Sequence, residues 1–295
     1  MVKMAVQRLL DSTLMRLDDA GVYMSQRGFL GTYPYISGDN FIGESDKLFL
    51  DGRLIERLGS IRDRKMVIFC DGESEVDLIK WADSQETGVV GCVIFHNTDK
   101  APSADLKQKC KEWKAVLFGV NMVNIEDGQY CLPLGLENAR VRINTSLRYY
   151  NIMPLRNREV RKATVLLSIR RNTNEAARSD CIDKLESVGI RNRRLSRSEY
   201  RKGLRESMYV ACPRGNGLDT HRFWEALYNR AIPVVKRSEA LFNGEDFPCL
   251  IVDDWAEIGL YDRCFLEEFY YRSWEKSWVK LSAYYWTALI RECAA

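Results

Sequence analysis

The chain has 295 residues, 46% of them hydrophobic, and a net charge of +3 at neutral pH. That is enough apolar material for one large or two ordinary cores, and so small and dispersed a positive charge does not single out nucleic acid as a partner. No run approaches the ~20 consecutive apolar residues of a membrane span. Nine cysteines occur with no Cys-x-x-Cys spacing, and there are only two histidines, His96 and His221. A zinc knuckle or a histidine-rich metal centre is therefore not expected. Several cysteines lie in apolar strand-like runs, which suits reduced thiols packing as small hydrophobes in a reducing compartment. Charges at Arg8, Asp11 and Arg16 interrupt the first apolar cluster, so no secretory leader is read there and a soluble, cytoplasmic protein is expected.

In chain order, Val6, Leu9, Leu10, Leu14 and Leu17 recur at helical spacing and predict a helix within residues 4–26. Residues 31–49 are rich in Gly, Tyr and Ser without a clear period and read as a loop. Asp39, between Gly38 and Asn40, is its first candidate carboxylate, with an ordinary Asx-turn acid as the competing reading. Strands are expected at 65–70, 89–95, 115–120 and 130–134, with helices at 75–84 and 104–113. This rhythm indicates an open parallel sheet with helices on its faces. Ligands bind such sheets at the carboxyl ends of the strands, where Asp71, Glu73, His96 and Asn97 all fall.

Between 138 and 156 the sequence turns polar and basic, and a domain boundary is placed there, giving domains 1–150 and 151–270. The second begins with a strand at 163–169 and a helix at 175–188. Arg170 and Asn174 lie in the turn between them, where the residues alone read as a solvated loop with a helix cap at Asn172 or Asn174. The basic run 191–201 reads either as a solvated loop and helix start or as an electropositive rim. A last strand is expected at 249–252. The aromatic-rich region 267–291 is expected to be helical, with its rings serving packing rather than a ligand platform.

The most informative stretch is 209–236, YVACPRGNGLDTHRFWEALYNRAIPVVK. An apolar strand leads into Pro213-Arg214-Gly215-Asn216-Gly217, then a helix at about 218–230, then a second apolar strand. Strand, glycine turn, helix is the unit by which α/β proteins bring backbone N–H groups up to phosphate. At ~100° per residue, Phe223, Trp224, Ala226 and Leu227 fall on one helix face and His221, Arg222, Glu225 and Asn229 on the other. Arg222 is placed to neutralise a diphosphate, and Glu225 to accept from a ribose diol. The competing reading is a solvated i,i+3 ion pair.

The run Asp219-x-x-Arg222-x-x-Glu225-Ala-Leu followed by Ile232-Pro233-Val234-Val235 resembles the donor-site signature of exostosin-like (family 47-like) glycosyltransferases. The likeness covers roughly residues 208–254. Arg230 and Ala231 stand where that family usually has glycine and cysteine. The resemblance implies a GT-B fold, two Rossmann-like domains facing each other across a cleft, with the C-terminal helix, 271–295, crossing back to the first. It also implies an inverting transfer from a nucleotide sugar, a UDP-sugar with UDP-xylose the weak favourite, to a glycan acceptor, and no required metal or other cofactor. Arg170, Asn174, Arg214, Gly215, Asn216, Gly217, His221, Arg222 and Glu225 would hold the donor. A base on the first domain is sought in the order Asp39, then Asp71 or Glu73, then His96. Three alternatives stand beside this. Asp71-Gly72-Glu73 mimics the Asp-x-Asp of metal-dependent GT-A transferases, the donor could be a GDP-sugar of the fucosyl type, or the chain could be a non-catalytic nucleotide- or glycan-binding module.

Overall fold

The computed structural model describes residues 35–56, 65–86, 88–138, 161–276 and 278–295, together with the backbone of 15–16, 23–24 and 30–31. The chain divides into two compact units, Met1–Leu147 with Lys280–Ala295, and Arg148–Val279. Each is an α/β unit built on its own sheet.

In the first unit, three two-residue strands, β1 (Met15–Arg16), β2 (Tyr23–Met24) and β3 (Leu30–Gly31), pair antiparallel. The backbone is thus extended at two places where the sequence predicts a helix; the rest of that expectation falls outside the described residues. The region expected as a loop at 31–49 instead holds helix α1 (Gly38–Glu44) and strand β4 (Lys47–Leu50). Ser37 and Asn40 form a reciprocal capping box that starts α1.

β5 (Arg53–Glu56), β6 (Met66–Cys70), α2 (Glu75–Ala82), β7 (Val90–Phe95), α3 (Ala104–Trp113), β8 (Val116–Gly119) and β9 (Gln129–Cys131) follow. The sheet order is β5-β4-β6-β7-β8-β9. Every pair is parallel except β4–β5, a hairpin closed by Asp51 and Gly52, both at positive φ (52° and 68°). The sheet is therefore mixed, with one antiparallel edge, rather than wholly parallel. β7 is buried along its whole length, as expected of a strand covered on both faces.

In the second unit, β10 (Lys162–Leu166), α4 (Glu175–Ser187), α5 (Arg197–Glu206), β11 (Ser207–Ala211), α6 (His221–Tyr228), β12 (Ile232–Lys236), β13 (Leu250–Val252) and α7 (Arg263–Glu275) follow in order. The four strands lie in sequence order and pair parallel throughout. Leu167, Cys181, Leu185, Tyr209, Ile232, Val234, Trp255 and Tyr270 form its core. Buried Arg161 ties three segments together by donating to the carbonyls of Leu204, Ser207 and Asn229.

The tail expected as one helical region is two helices. Lys276 is extended (ψ 150°) and ends α7, and Ser282 caps α8 (Ala283–Ala294) through its side chain. α8 belongs to the first unit. Lys65 N donates to Ala294 O at 2.9 Å, and a Cβ on Gly91 would stand 2.8 Å from Lys65 Cβ and 3.1 Å from Ala294 Cα, so a side chain at 91 would force these neighbours to shift. Among the described residues no helix is long and apolar enough to cross a membrane.

Candidate functional site

β11 is buried at every position and delivers the chain to the turn after it, with Cys212 N bonded to Val234 O at 2.9 Å. α6 then buries Phe223, Trp224, Ala226, Leu227 and Tyr228. Trp224 stacks edge-on to Phe247 at 4.9 Å, and its indole N–H donates to both carboxylate oxygens of buried Asp219 at 2.8 and 3.0 Å. Asp219, the first residue of the signature, thus anchors the turn to its own helix. The other face of α6 carries His221, Arg222 and Glu225, all half-buried.

The Arg222 guanidinium lies over the Tyr200 ring, 5.2 Å from its centre, and donates to the Tyr200 hydroxyl at 3.2 Å. That hydroxyl donates to Glu225 Oε2 at 3.1 Å. Burial works against the Arg222 charge, but the fields of Tyr200, Cys212 and Glu225 outweigh it and hold the guanidinium above its ordinary pKa.

Arg178, one turn beyond the start of α4, approaches the same turn. Its Nη1 donates to Arg170 O at 3.1 Å, and its Nη2 would lie 3.6 Å from a Cβ built on Gly215. Its Nε is buried with no hydrogen-bond partner among the described residues. Burial and the neighbouring Arg222 charge both push its pKa down. Arg178 thus sits beside the glycine turn and within the field of Arg222, whose like charge works against its own.

The other expected donor residues fall around this pair. Asn174 adopts a left-handed conformation (φ 48°, ψ 71°), caps α4 by accepting from Ala177 N, and donates Nδ2 to Gly215 O at 2.9 Å. It therefore acts both as the cap and as a tie to the turn. Arg214 folds back on its own loop, donating to the carbonyls of Gly215 and Asn216 at 3.3 and 2.9 Å. Its backbone N–H goes to Glu239. Gly215 and Gly217 are buried and Asn216 is exposed. The Arg170 side chain is exposed, and it is the Arg170 carbonyl that meets Arg178.

In the first unit, Asp39 is buried in the first turn of α1, with its N–H on Asn138 Oδ1 at 3.1 Å. Asn138 Nδ2 donates to Asn97 Oδ1 at 3.0 Å. Asn97, at φ 58° just past β7, donates its N–H to His96 Nδ1 at 2.8 Å. His96 Nε2 meets Pro133 O at 3.1 Å and Nδ1 also lies 3.1 Å from Asn97 Oδ1, so both ring nitrogens are engaged. The imidazole is buried, with the Phe41 and Phe69 rings at 5.1 and 6.5 Å. Asp39, His96, Asn97 and Asn138 are thus gathered in one cluster.

Asp71 has a different task. Its Oδ2 accepts from Asp51 N at 2.9 Å, and its Oδ1 from Glu73 N and Ser74 N at 3.2 and 2.9 Å. It fastens the Asp51-Gly52 turn to the start of α2, while Glu73 is exposed. Among the described residues no group of three His, Cys, Asp or Glu is placed to hold a metal ion.

Two residues of the second-unit site escape a reading of the sequence. Arg178 stands four residues after Asn174, on the same helix face as the cap, and that spacing was the available signal. Tyr200 lies inside the basic run 191–201, where the charges draw attention and the ring does not. The sequence matches no protein-family model, and it finds no match among the curated proteins compared with it.

Proposed function

We propose that this protein is a glycosyltransferase that takes a sugar from a nucleotide-sugar donor held in the second unit and passes it to a glycan hydroxyl. The observation that carries the reading is Arg178 beside the Gly215 turn and within the field of Arg222, with Glu225 one helical turn beyond Arg222. Two guanidiniums suit the diphosphate, whose charge grows as the sugar leaves, and they act from fixed positions without reorganising. Glu225 suits a ribose diol, which offers two hydroxyl donors to a carboxylate. The signature from Asp219 to Val235 makes the exostosin-like, inverting, GT-B form of this chemistry the one adopted here. UDP-xylose is the first donor to try.

Inversion needs a base for the acceptor hydroxyl. Asp39 is the first residue to test in that role, followed by Asp71 or Glu73 and then His96. The donor pocket supplies its positive charge from side chains, and transfer is expected to proceed in EDTA.

The test is a melting-temperature panel with UDP, GDP, CDP and their sugars. A ligand at about 100 times its Kd adds about 2.7 kcal/mol to apparent stability. UDP compounds are expected to give the shift, and Arg222→Ala to remove it. A shift with GDP compounds alone replaces the donor by a GDP-sugar, and no shift with any nucleotide ends the transferase reading.

A further inference from the structure

The residue that shapes the Arg222–Glu225 pair comes from outside the signature. Tyr200 is on α5, and its hydroxyl donates to Glu225 Oε2 at 3.1 Å and accepts from Arg222 Nη1 at 3.2 Å. A phenol carries one proton, so with that proton on the carboxylate it can only accept from the guanidinium. The direction of both bonds is fixed. Burial pushes the phenol pKa well above its ordinary range, so it stays a neutral bridge across any assay pH.

Arg222 and Glu225 stand three residues apart on one helix face, where a direct ion pair forms readily. Among the described residues Arg222 makes no such pair, because the phenol stands between them. A direct pair would commit the planar guanidinium fork to the carboxylate. With the phenol interposed and the ring beneath the guanidinium, Arg222 gives the described residues one of its five N–H donors.

We infer that Tyr200 is a positioning residue for the anion site, keeping Arg222 aimed at a phosphorylated ligand by standing between it and Glu225. The inference rests on the donor-site reading of Arg222. It goes beyond that reading by assigning a role to a helix that contributes no other residue to the site.

The probe is inorganic pyrophosphate, which engages the cationic part of the site alone, titrated by calorimetry at fixed salt. Tyr200→Phe keeps the ring and removes the bridge. It is expected to weaken pyrophosphate about tenfold, the scale of one charged hydrogen bond. Adding Glu225→Gln to that variant removes the competing anion and is expected to restore affinity to within about threefold of the unaltered protein. A packing role alone would lower the melting temperature of Tyr200→Phe and leave pyrophosphate binding as it was. That result, or a failure of Glu225→Gln to rescue, overturns the inference. Should Tyr200→Phe not fold, hydrogen exchange on the unaltered protein decides. Peptides covering 197–206 must gain protection when pyrophosphate binds, and no gain refutes the role. The underlying reading has its own control, since pyrophosphate binding that survives Arg222→Ala removes the site itself and not merely the part played by Tyr200.

Discussion

Gly215 faces Arg178 across a gap that an alanine methyl would fill: a Cβ at 215 would meet Arg178 Nη2 at 3.6 Å, Thr173 Cγ2 at 3.7 Å and Thr220 Cγ2 at 3.8 Å. All three are ordinary van der Waals contacts, and the backbone there is not left-handed. The folded protein thus has no need of glycine at this position. Under the proposed donor-site reading, that methyl would project into the space a bound phosphate would share with Arg178.

Gly215→Ala is therefore expected to separate folding from binding. Loss of backbone freedom in the unfolded chain should stabilise the protein by about 0.4–1 kcal/mol. The same methyl should weaken UDP or pyrophosphate at least about tenfold. Urea unfolding and calorimetry measure the two effects. Unchanged ligand affinity would show that the turn does not receive an anion.

Arg178 should show the same opposition more strongly. Its Nε is buried without a partner, and both burial and Arg222 act against its charge. Arg178→Met keeps much of the volume and removes the charge. It should raise the stability of the ligand-free protein by about 1 kcal/mol and abolish the stabilisation that UDP confers. In the unaltered protein the UDP shift should shrink as salt rises from about 0.05 to 0.5 M, because counter-ions screen the exposed part of the pocket. A ligand-free Arg178→Met protein that melts lower than the unaltered one would assign Arg178 to the fold rather than to a ligand.

Much of the second unit could be read locally. Its central parallel strands are buried on both faces, so they stand out as unbroken apolar runs such as MYVAC and IPVV. The two faces of α6 follow from residue spacing alone. The first unit was harder for reasons that can be named. Lys47–Leu50, Asp51-Gly52 and Arg53–Glu56 form a hairpin whose two-residue Asp-Gly turn is a strong local signal. That signal stands directly after 31–49, whose lack of a period hides β4. Once the hairpin is placed, Asp71 has three backbone N–H groups to hold, a role invisible while Asp51 is 20 residues away in an unassigned loop. His96 resembles a catalytic residue by position, at a strand end. Only the tertiary fold supplies Pro133 O and the Asn97 N–H that occupy its nitrogens. Tyr200 likewise meets Arg222 and Glu225 through packing between elements, which no spacing along the chain reports.

Thiol chemistry gives a prediction independent of any ligand. Seven of the nine cysteines are buried, Cys264 is exposed and Cys293 is intermediate. Burial pushes Cys110 and Cys249 from an ordinary 9.0 up to about 12, and it raises Cys293 as well. A neutral-pH thiol reagent should label Cys264 first and Cys293 more slowly, the remainder reacting only on unfolding. The sign of the pH effect follows from proton binding. Between pH 9 and 12 the folded protein holds thiol protons that the unfolded chain has released. Stability is therefore untouched by these groups below pH 9 and falls above it, by up to about 1.4 kcal/mol per pH unit for each fully shifted thiol. Melting curves from pH 7 to 10 check this, and a melting temperature that climbs above pH 9 contradicts it.

Arg291 and Glu44 make the contact that fixes α8 to the first unit. Arg291 donates Nε and Nη2 to the two Glu44 oxygens, each at 2.6 Å, across 247 residues of sequence. The Glu44 side chain is only 8% exposed and that of Arg291 is 43% exposed. Burial of the acceptor decides the magnitude: removing the guanidinium leaves a carboxylate that water cannot readily reach. Arg291→Met should cost about 1.5–3 kcal/mol, the range for hydrogen bonds to a buried charge. Glu44→Gln, which keeps an acceptor and sheds the charge, should cost less. The helical pair Arg263–Glu267 is the control, since the Arg263 side chain is 81% exposed and such pairs are worth under about 1 kcal/mol. Arg263→Ala should accordingly leave urea unfolding within about 0.5 kcal/mol of the unaltered protein. Equal losses from Arg291→Met and Arg263→Ala would show that the Glu44 contact adds nothing beyond a surface ion pair.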